Sequence, residues 1–428
     1  MARASDNPSM SSHRVIVTYL TTSVIFTLAV SVIWGVNTLF LMDAGLTIFE
    51  VMLVNAAFTL GQLVFEVPTG VIADTIGRKA SFLLASAVLF ASTLLYVATS
   101  QYHLGLWWFV AASVLLGLGF TFQTGAVDAW LVDALDYTGY DMPKERVFAR
   151  GGVAFGAAML VGTLVGGFLG QVNLAIPYLA RAALLIVTFV VTAVMMRDLG
   201  FEPRPLKLAN FGAETKTVFD AGVKYGWQHP VVRPLLWASF AFGLFFIYAF
   251  YSMQRYALDL LGKEYVWVIG VLTAAASLAS MGGNALVKWV MREGEHRRDP
   301  ARVLAASTAG LALLAAAIGL VGVLTGQPGL VPFVVVAVLW LGWNLIFGLL
   351  GPVRQAFLNA QIPSAQRATV LSVDAFFGDV GGSLGQPGLG WISGKVSIPV
   401  AWLVGSLFVG AAIPLYTRAG KAAREQAD

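Results

Sequence analysis

The chain has 428 residues, of which 58% are hydrophobic and only 12% are charged, with a net charge of +4 at pH 7. A soluble domain carries about 25% charged residues, so this composition excludes a soluble protein of this length. Apolar runs of about 18 residues or more recur along the chain, and such runs can cross a hydrocarbon layer of ~30 Å as helices. We therefore expect an all-α polytopic membrane protein.

The predicted elements are twelve membrane-spanning helices, separated by clusters of glycine, proline and charged residues. In chain order they are expected near residues 14–40, 47–72, 80–99, 105–134, 147–170, 176–196, 234–258, 266–291, 302–325, 330–356, 366–393 and 397–417. We interpret the first apolar run as the first span and not as a removable signal peptide.

The longest polar stretch, residues 197–233, divides the twelve spans into two sets of six. We therefore predict a first helical bundle over residues 1–196, a cytoplasmic linker over 197–233 whose later part can form an amphipathic helix, and a second bundle over 234–428. Glycine-rich runs stand at matching places in the two halves, in the fifth and eleventh spans. Internal repeats of this kind are common in secondary transporters.

The distribution of lysine and arginine predicts the orientation. If the N-terminus lies inside, 23 basic residues fall on the cytoplasmic side and only four fall outside, namely Arg181, Arg255, Lys263 and Lys395. Both termini are then cytoplasmic. Arg181 and Arg255 are close enough to the outer interface for their long side chains to reach it. The net charge then follows from membrane insertion, and we expect no nucleic-acid partner.

Residue types that support other chemistry are scarce. The chain has no cysteine, which excludes disulfides, Cys-ligated zinc and thiol chemistry. Its four histidines all fall near predicted helix ends or in loops, so we expect no metal and no cofactor. The absence of cysteine and of an N-linked glycosylation acceptor fits a bacterial inner membrane.

A polar cluster joins the second and third spans, in the stretch FEVPTGVIADTIGRKASFLLA. It places Gly70, Asp74, Gly77, Arg78 and Lys79 in the spacing Gly-x-x-x-Asp-x-x-Gly-Arg-Lys. This spacing resembles the signature of the major facilitator superfamily, Gly-x-x-x-Asp-(Arg/Lys)-x-Gly-Arg-(Arg/Lys), at the same place in a twelve-span chain. The resemblance implies two pseudo-symmetric six-helix halves that expose a central cavity to each side of the membrane in turn.

The same resemblance implies a gate at the inner side. Asp74 would face the positive N-terminal end of the eleventh span, and Arg78 would pair with an acid at the inner end of the fourth span. Asp133 is the first choice for that acid and Asp128 the reserve, and Arg150 would join the same network. These contacts would hold the halves together when the cavity opens outward. The alternative is that the basic residues only enforce topology.

The pattern is closest to that of the twelve-span drug/proton antiporters of prokaryotes, with three departures. Thr75 stands where the signature usually has a base. The arginine that usually precedes a Gly-x-Gly in the fourth span is replaced by Ser113, before Gly117 and Gly119, and the Gly-Pro of the fifth span is Gly-Gly at 166–167. Proton antiport is therefore implied less firmly than the fold.

Four acidic residues are candidates for proton coupling, because an ionisable group inside a membrane is a functional candidate by default. Asp379 lies ~18 Å into the eleventh span at 1.5 Å per residue, near the midplane. The alternative role for Asp379 is a carboxylate held by hydrogen bonds between helices. Glu66 and Asp128 are candidates that fit the gate network better, and Asp374 lies closer to the inner face.

Aromatic and amide residues gather where a central cavity would be lined. The candidates are Trp34, Asn37, Gln62, Gln123, Tyr248, Tyr251, Gln254, Asn284, Trp340, Trp343 and Asn344. A large cavity with aromatic walls and few charges would suit bulky amphipathic compounds.

Three functions are compatible with these observations. The leading hypothesis is a monomeric secondary transporter that exports small amphipathic molecules in exchange for protons. The second is an importer or facilitator of one small metabolite with the same fold, and the third is a membrane scaffold or receptor that transports nothing. No group of residues supports an enzyme within the membrane.

Overall fold

The computed structural model describes residues 11–201, 203, 226–292, 298–363 and 366–426. Their helices follow one another with short connections. The helices of the first half are α1 (Ser12–Ser31), α2 (Asn37–Asp43), α3 (Ile48–Ile76), α4 (Arg78–Gln101), α5 (Leu106–Gln123), α6 (Ala126–Tyr137), α7 (Glu145–Val172) and α8 (Ile176–Met195). Those of the second half are α9 (Val232–Leu261), α10 (Val266–Met291), α11 (Pro300–Thr325), α12 (Leu330–Ala360), α13 (Arg367–Lys395) and α14 (Ile398–Glu425).

Eleven of the twelve predicted spans correspond to segments that are long and apolar enough to cross a membrane, within the described residues. The remaining predicted span is α13, which has 29 residues and is therefore ~44 Å long. Its length suffices, but Asp374, Asp379, Gln386 and several glycines lower its apolar content. α13 packs against both α3 and α9, and its Asp374 and Gln386 are buried.

Two predicted spans are interrupted. The first divides into α1 and α2 around a turn at residues 32–36, and the fourth divides into α5 and α6 at Gly125. Gly125 has φ +73°, a left-handed conformation that glycine adopts without steric cost. The first break lies inside a continuous apolar run, and the second follows only two polar residues, Gln123 and Thr124, so the sequence pattern predicted uninterrupted helices.

Contacts between helices repeat in the two halves with an offset of six spans. The first span packs against the fifth and sixth, as α1 against α7 and α8, and the seventh packs against the eleventh and twelfth, as α9 against α13 and α14. The pairs α3–α5 and α10–α12 correspond in the same way. The two most extensive pairs between the halves are α3–α13 and α7–α10, and they are equivalents of each other. The chain therefore has the predicted pseudo-symmetric architecture.

The two glycine-rich runs explain the closest of these contacts. A Cβ atom added to Gly166 of α7 would collide with the carbonyl oxygen of Val32, and one added to Gly385 of α13 would collide with that of Leu244. Missing side chains allow the backbones to approach closely. The glycine repeat noted in the sequence thus holds α7 against the end of the first span and α13 against α9.

The described contacts between the halves are concentrated on one side of the bundle. We call the side on which α1 begins and α14 ends the terminal side, and the other the far side. Near the far side, Gln171 Nε2 donates to the carbonyl oxygen of Glu264 at 2.8 Å, and its Oε1 accepts from Trp267 N at 3.1 Å. An added Cβ on Gly167 would lie 2.7 Å from Gly270 Cα. These contacts close the far side.

The linker follows α8 on the terminal side. Its first residues, 197–201, pack against the first half, where the carbonyl oxygen of Arg197 accepts a 2.7 Å hydrogen bond from Trp130 Nε1. The amphipathic helix predicted later in the linker falls on residues 204–225, which lie outside the described residues.

Candidate transport pathway

A cavity of about 320 Å³ lies between the two halves near the middle of the bundle. Residues of α7, α9, α10 and α12 line it, together with Trp34 from the turn after α1. No charged side chain is among its lining residues in the described part of the chain. Five of the eleven predicted cavity residues line it: Trp34, Gln254, Trp340, Trp343 and Asn344.

One wall of this cavity is a stack of nearly parallel aromatic rings. The Trp340 and Trp343 rings lie 5.2 Å apart at 14°, and Trp343 is inclined by 9° to Phe347. Phe347 in turn lies 4.7 Å from Phe246 of α9. Stacked rings of this size offer a flat apolar surface to planar parts of a ligand.

A second wall of the cavity is polar but uncharged. Thr273, Ser277 and Ser280 of α10 line the cavity at the i, i+4, i+7 spacing of one helix face. Thr273 Oγ1 and Ser277 Oγ donate to carbonyl oxygens one turn earlier in α10, so their lone pairs remain as acceptors. The cavity therefore combines an aromatic wall with a row of hydroxyl groups.

Gln254 closes the cavity towards the far side. The turn between α1 and α2 leaves two backbone groups without helical partners, the carbonyl oxygen of Trp34 and the N–H of Thr38. Gln254 Nε2 donates to the first at 2.7 Å, and its Oε1 accepts from the second at 3.0 Å. Thr38 Oγ1 also donates to the carbonyl oxygen of Tyr251 at 2.9 Å. These bonds join α9 of the second half to the first span.

A second cavity, of about 590 Å³, continues towards the terminal side. It shares Phe246 and Phe347 with the first and is lined by Asp379, half-buried on α13. Asp379 thus lies in the middle part of α13 beside this cavity, and its depth in the membrane stays a prediction. Glu66 on α3, in the first half, is close enough for its carboxylate to interact electrostatically with Asp379.

Asp374 and Arg354 form a buried ion pair in the same cavity. Arg354 Nη1 lies 2.7 Å from Asp374 Oδ2, and Nη2 lies 2.6 Å from Oδ1. Ser239 Oγ donates to Asp374 Oδ1 at 2.7 Å, and Arg354 Nη2 donates to the carbonyl oxygen of Leu235 at 3.2 Å. The network joins α9, α12 and α13. Asp374 therefore already has a cationic partner, whereas the described contacts of Asp379 include no salt bridge.

The motif between α3 and α4 forms a tight turn at the terminal side. Gly77 has φ +103° and stands between the two helices. Arg78 Nη1 lies 2.7 Å from Asp74 Oδ1, one helical turn away in sequence, and the Arg78 guanidinium lies 6.0 Å from the Phe201 ring. Gly70, Asp74 and Arg78 line a groove together with Glu66, to which Thr124 Oγ1 donates at 3.2 Å.

Asp198 supplies a contact to this motif that sequence reasoning missed. Its Oδ1 accepts from Lys79 N at 2.9 Å, so a carboxylate from the start of the linker caps the N-terminus of α4. Burial raises the pKa of Asp198, and the hydrogen bond from Lys79 opposes that rise. The Lys79 ammonium donates to the carbonyl oxygen of Ala193 at 2.7 Å and so satisfies the end of α8.

The sequence model of the Major Facilitator Superfamily matches residues 19–386. The chain belongs to the Major Facilitator Superfamily. The matched region covers the motif, the central cavity and Asp379, so the resemblance inferred from the motif and the twelve spans is confirmed.

Two curated relatives in the Major Facilitator Superfamily are drug-resistance proteins. The chain is 22% identical over 240 residues to quinolone resistance protein NorA of Staphylococcus aureus (strain MRSA252), covering 56% of this chain and 58% of that protein. It is 29% identical over 143 residues to the class B tetracycline resistance protein of Escherichia coli, covering 33% of each. The matches thus span less than two thirds of the length of either relative.

Solved Major Facilitator Superfamily structures share the fold over nearly the whole chain. The nucleoside transporter NupG superposes with a TM-score of 0.76 at 11% identity, over 95% of this chain and 98% of that one. The D-xylose-proton symporter gives a TM-score of 0.70 at 11% identity, over 94% and 97%. At these identities the likeness establishes the fold alone.

The other residues singled out for this superfamily member occupy several environments. Tyr248 is buried, and its hydroxyl is 2.5 Å from Ser393 Oγ. Asn37 is buried in the first half, between Asn55 and Tyr178. Tyr251 contacts Thr38 beyond the cavity roof. Gln62 and Gln123 are half-buried on α3 and α5, and Asn284 is exposed on α10. These six lie outside the residues that line the central cavity.

The remaining candidates for the gate lie on the terminal side. Asp128 Oδ1 accepts from the Tyr19 hydroxyl at 3.1 Å, Asp133 is half-buried on α6, and Arg150 is exposed on α7. In this structure Arg78 pairs with Asp74, and the pairing of Arg78 with Asp133 stays a prediction for the state in which the far side opens.

Arg181 differs from its predicted position. Its side chain is buried, with 1% of its surface exposed, and does not extend to the membrane interface. The position of a residue near a helix end predicts its depth in the membrane, but it does not predict the face of the helix on which its side chain lies. The hydroxyl row on α10 was also missed, although its helical spacing is visible in the sequence and could have identified it.

Proposed function

We propose that this superfamily member exports bulky amphipathic compounds in exchange for protons. The observation that carries the proposal is the central cavity: it is uncharged, has an aromatic wall and is closed on the far side by Gln254. Apolar concave sites with a few placed polar groups are typical of sites for small organic molecules. The drug-resistance proteins among its relatives support the same substrate class.

Transport would proceed by movement of residues 1–196 against residues 234–428, with 197–233 as the linker. In this proposal the structure corresponds to the state open to the terminal side, because the described contacts between the halves cluster near the far side. Opening of the far side would break the bonds of Gln254 and Thr38 and bring α3 and α4 closer to α13. The Arg78–Asp133 pairing would belong to that second state.

Proton coupling would use Asp379. A carboxylate at membrane depth is costly when charged and unpaired, and Asp379 lines the pathway on the terminal side of the aromatic wall. Protonation would remove its charge and its repulsion with Glu66, so the two halves could approach each other there. Glu66 is the second candidate for the proton, and Asp374 is the weakest because Arg354 already neutralises it.

We further propose that the terminal side is cytoplasmic and that the protein resides in a bacterial inner membrane as a monomer. The 23 to 4 distribution of basic residues supports this orientation.

The decisive experiment measures accumulation of fluorescent amphipathic dyes in a bacterial host that lacks its own efflux pumps. Wild type, Asp379→Asn and Asp141→Asn are compared with empty vector at equal expression, with and without a protonophore. Asp141 is an exposed loop residue and serves as the matched carboxylate control. Proton-driven export through Asp379 requires that wild type and Asp141→Asn lower accumulation, that the protonophore abolishes this, and that Asp379→Asn does not lower it.

Other outcomes select among the alternatives. Normal export by Asp379→Asn would assign that residue a structural role and make Glu66→Gln the next variant. If wild type never differs from vector over a broad panel of dyes, the proposal of drug export fails. A transporter of one polar metabolite would then use the hydroxyl row of α10 as its recognition surface.

A further inference from the structure

Arg181 is a buried cation without an anionic partner among the described residues. It lies on α8 with 1% of its surface exposed, and its Nε and Nη2 atoms have no hydrogen-bond partner within that part of the chain. The titratable groups close enough to interact with it are those of Tyr178, Tyr96 and Tyr251, and the salt bridges of the described residues include none to Arg181. A buried charge normally has a counter-charge or a full set of hydrogen bonds.

The other arginines at comparable places in the bundle do have such partners. Arg354, which is largely covered, has two contacts with Asp374. Arg255, which was assigned with Arg181 to the outer side, has its Nε 2.6 Å from Asp259 Oδ1. Among the described arginines that are not exposed, the missing acid partner is therefore particular to Arg181.

The polar residues beside Arg181 have a surplus of hydrogen-bond donors. Tyr178 Oη donates to Asn37 Oδ1 at 2.8 Å, and Asn37 Nδ2 donates to Asn55 Oδ1 at 3.0 Å. The acceptor atoms of both amides are thereby used, while the buried Asn55 Nδ2 has no acceptor within the described chain. Tyr96 Oη in turn donates to Ser113 Oγ at 2.9 Å. Within the described chain this cluster therefore leaves two guanidinium nitrogens of Arg181 and the amide N–H₂ group of Asn55 without acceptors.

We propose that Arg181 and Asn55 form a binding site for an anionic group between the first and second halves. An anion would supply hydrogen-bond acceptors for the donors that have none and a negative counter-charge for the guanidinium. The anionic group is either a small inorganic anion such as chloride or the carboxylate of a compound that passes through the protein.

The position of the site connects it to the transport pathway. Tyr251, which acts on Arg181, belongs to α9, and its carbonyl oxygen accepts the bond from Thr38 at the roof of the central cavity. The site therefore lies directly beyond that roof. Separation of α9 from the first span would remove Tyr251 from the cluster and open the site to the far side.

The first test measures anion binding by thermal unfolding of the purified full-length protein in detergent. Potassium gluconate is replaced stepwise by potassium chloride at constant ionic strength. We expect a saturable rise in the Tm of wild type by about 2 °C or more, because a ligand that binds only the folded state stabilises it. This measurement needs no transport, so its result is independent of the proposed function.

Three variants test whether the rise comes from this site. Arg181→Met removes the charge at similar volume and should make the Tm independent of chloride. Asn55→Ala should shift the half-saturating concentration upward by about tenfold, the effect of losing one hydrogen bond to a charged group. Arg255→Gln is the matched control, since it removes an arginine that already has an acid partner, and it should respond as wild type does.

The second test replaces chloride by 1-naphthoate in gluconate buffer, with neutral 1-naphthamide as comparator. Stabilisation by naphthoate alone, lost in Arg181→Met, identifies an organic carboxylate as the occupant, whereas stabilisation by chloride identifies a halide. The proposal is overturned if neither anion raises the Tm of wild type, or if Arg181→Met responds as wild type does. Should Arg181→Met fail to fold, an unchanged half-saturation in Asn55→Ala overturns it instead.

Discussion

Arg354 and Asp374 face each other across α12 and α13 as a two-point ion pair, with both guanidinium Nη atoms within 2.7 Å of a carboxylate oxygen. Hydrogen bonds from Ser239 to Asp374 and from Arg354 to the carbonyl oxygen of Leu235 extend the pair to α9. The pair thus fixes three helices of the second half to one another beside the wider of the two cavities.

The stability of the second half should depend on both members of this pair. Asp374→Asn leaves the Arg354 charge buried without a counter-charge, so we expect a loss of about 3 kcal/mol of unfolding free energy. The double variant Arg354→Met/Asp374→Leu removes both charges and should recover most of that loss. Thermal unfolding of purified protein measures both effects. A double variant less stable than Asp374→Asn would show that the bonds to α9 matter more than charge balance.

Substrate affinity should depend on the aromatic wall. Trp343→Ala removes the ring between Trp340 and Phe347, so we expect the apparent KM for a planar dye to rise about two- to tenfold, the range of one aromatic contact. Trp343→Phe should retain most of the affinity. Trp289→Ala, at a tryptophan that is 71% exposed on α10, serves as control. Equal values of KM in all three variants would place dye binding elsewhere.

Cross-linking the far side should stop transport. The chain has no cysteine, so cysteines introduced together at Gln171 and Glu264 are its only thiols. These residues are in hydrogen-bond contact between α7 and the loop before α10, and a short cleavable bis-maleimide can join them. We expect loss of dye export on cross-linking and recovery on cleavage, with Gln171→Cys alone unaffected. Full export by the cross-linked protein would contradict alternating opening at this side.

Closure of the far side should also depend on Gly167. A methyl group there would lie 2.7 Å from Gly270 Cα, so Gly167→Ala forces the backbones of α7 and α10 apart. We expect folded protein with reduced export. Gly388→Ala on α13 is the matched control, because its new methyl group would meet no atom within 4 Å. The prediction is wrong if the two variants export at the same rate.

The sequence was sufficient for the helical membrane fold and for the family to which the motif between α3 and α4 belongs, because both are expressed in the order of residues along the chain. It also identified Trp340 and Trp343 as cavity residues. The sequence did not distinguish Tyr248, which is buried in the core, from Gln254, which lies six residues later on the same helix and lines the cavity. A helix that is apolar on all sides has no hydrophobic face that marks its orientation. A single sequence therefore defines the depth of a residue in the membrane better than the side of the helix on which it lies.

Long-range partners were beyond the sequence for a related reason. Asp198 caps α4 from 119 positions away, and Gln254 reaches a turn in the first span that interrupts a continuous apolar run. No local sequence pattern predicts either contact. The isolation of Arg181 from any carboxylate is likewise a property of the packed helices, since acidic residues occur elsewhere along the chain.

The barrier on the far side consists largely of main-chain atoms and of glycines, whereas the wall of the central cavity consists of side chains. The residues of the cavity wall can therefore change without a change in the contacts that close the far side. Exchanging a tryptophan or a phenylalanine of the wall alters which compounds fit, but leaves the contacts of Gly167 and Gly270 and the backbone groups held by Gln254 in place. Under the proposed function, substitutions in the wall would therefore change which compounds are transported while the far side stays closed.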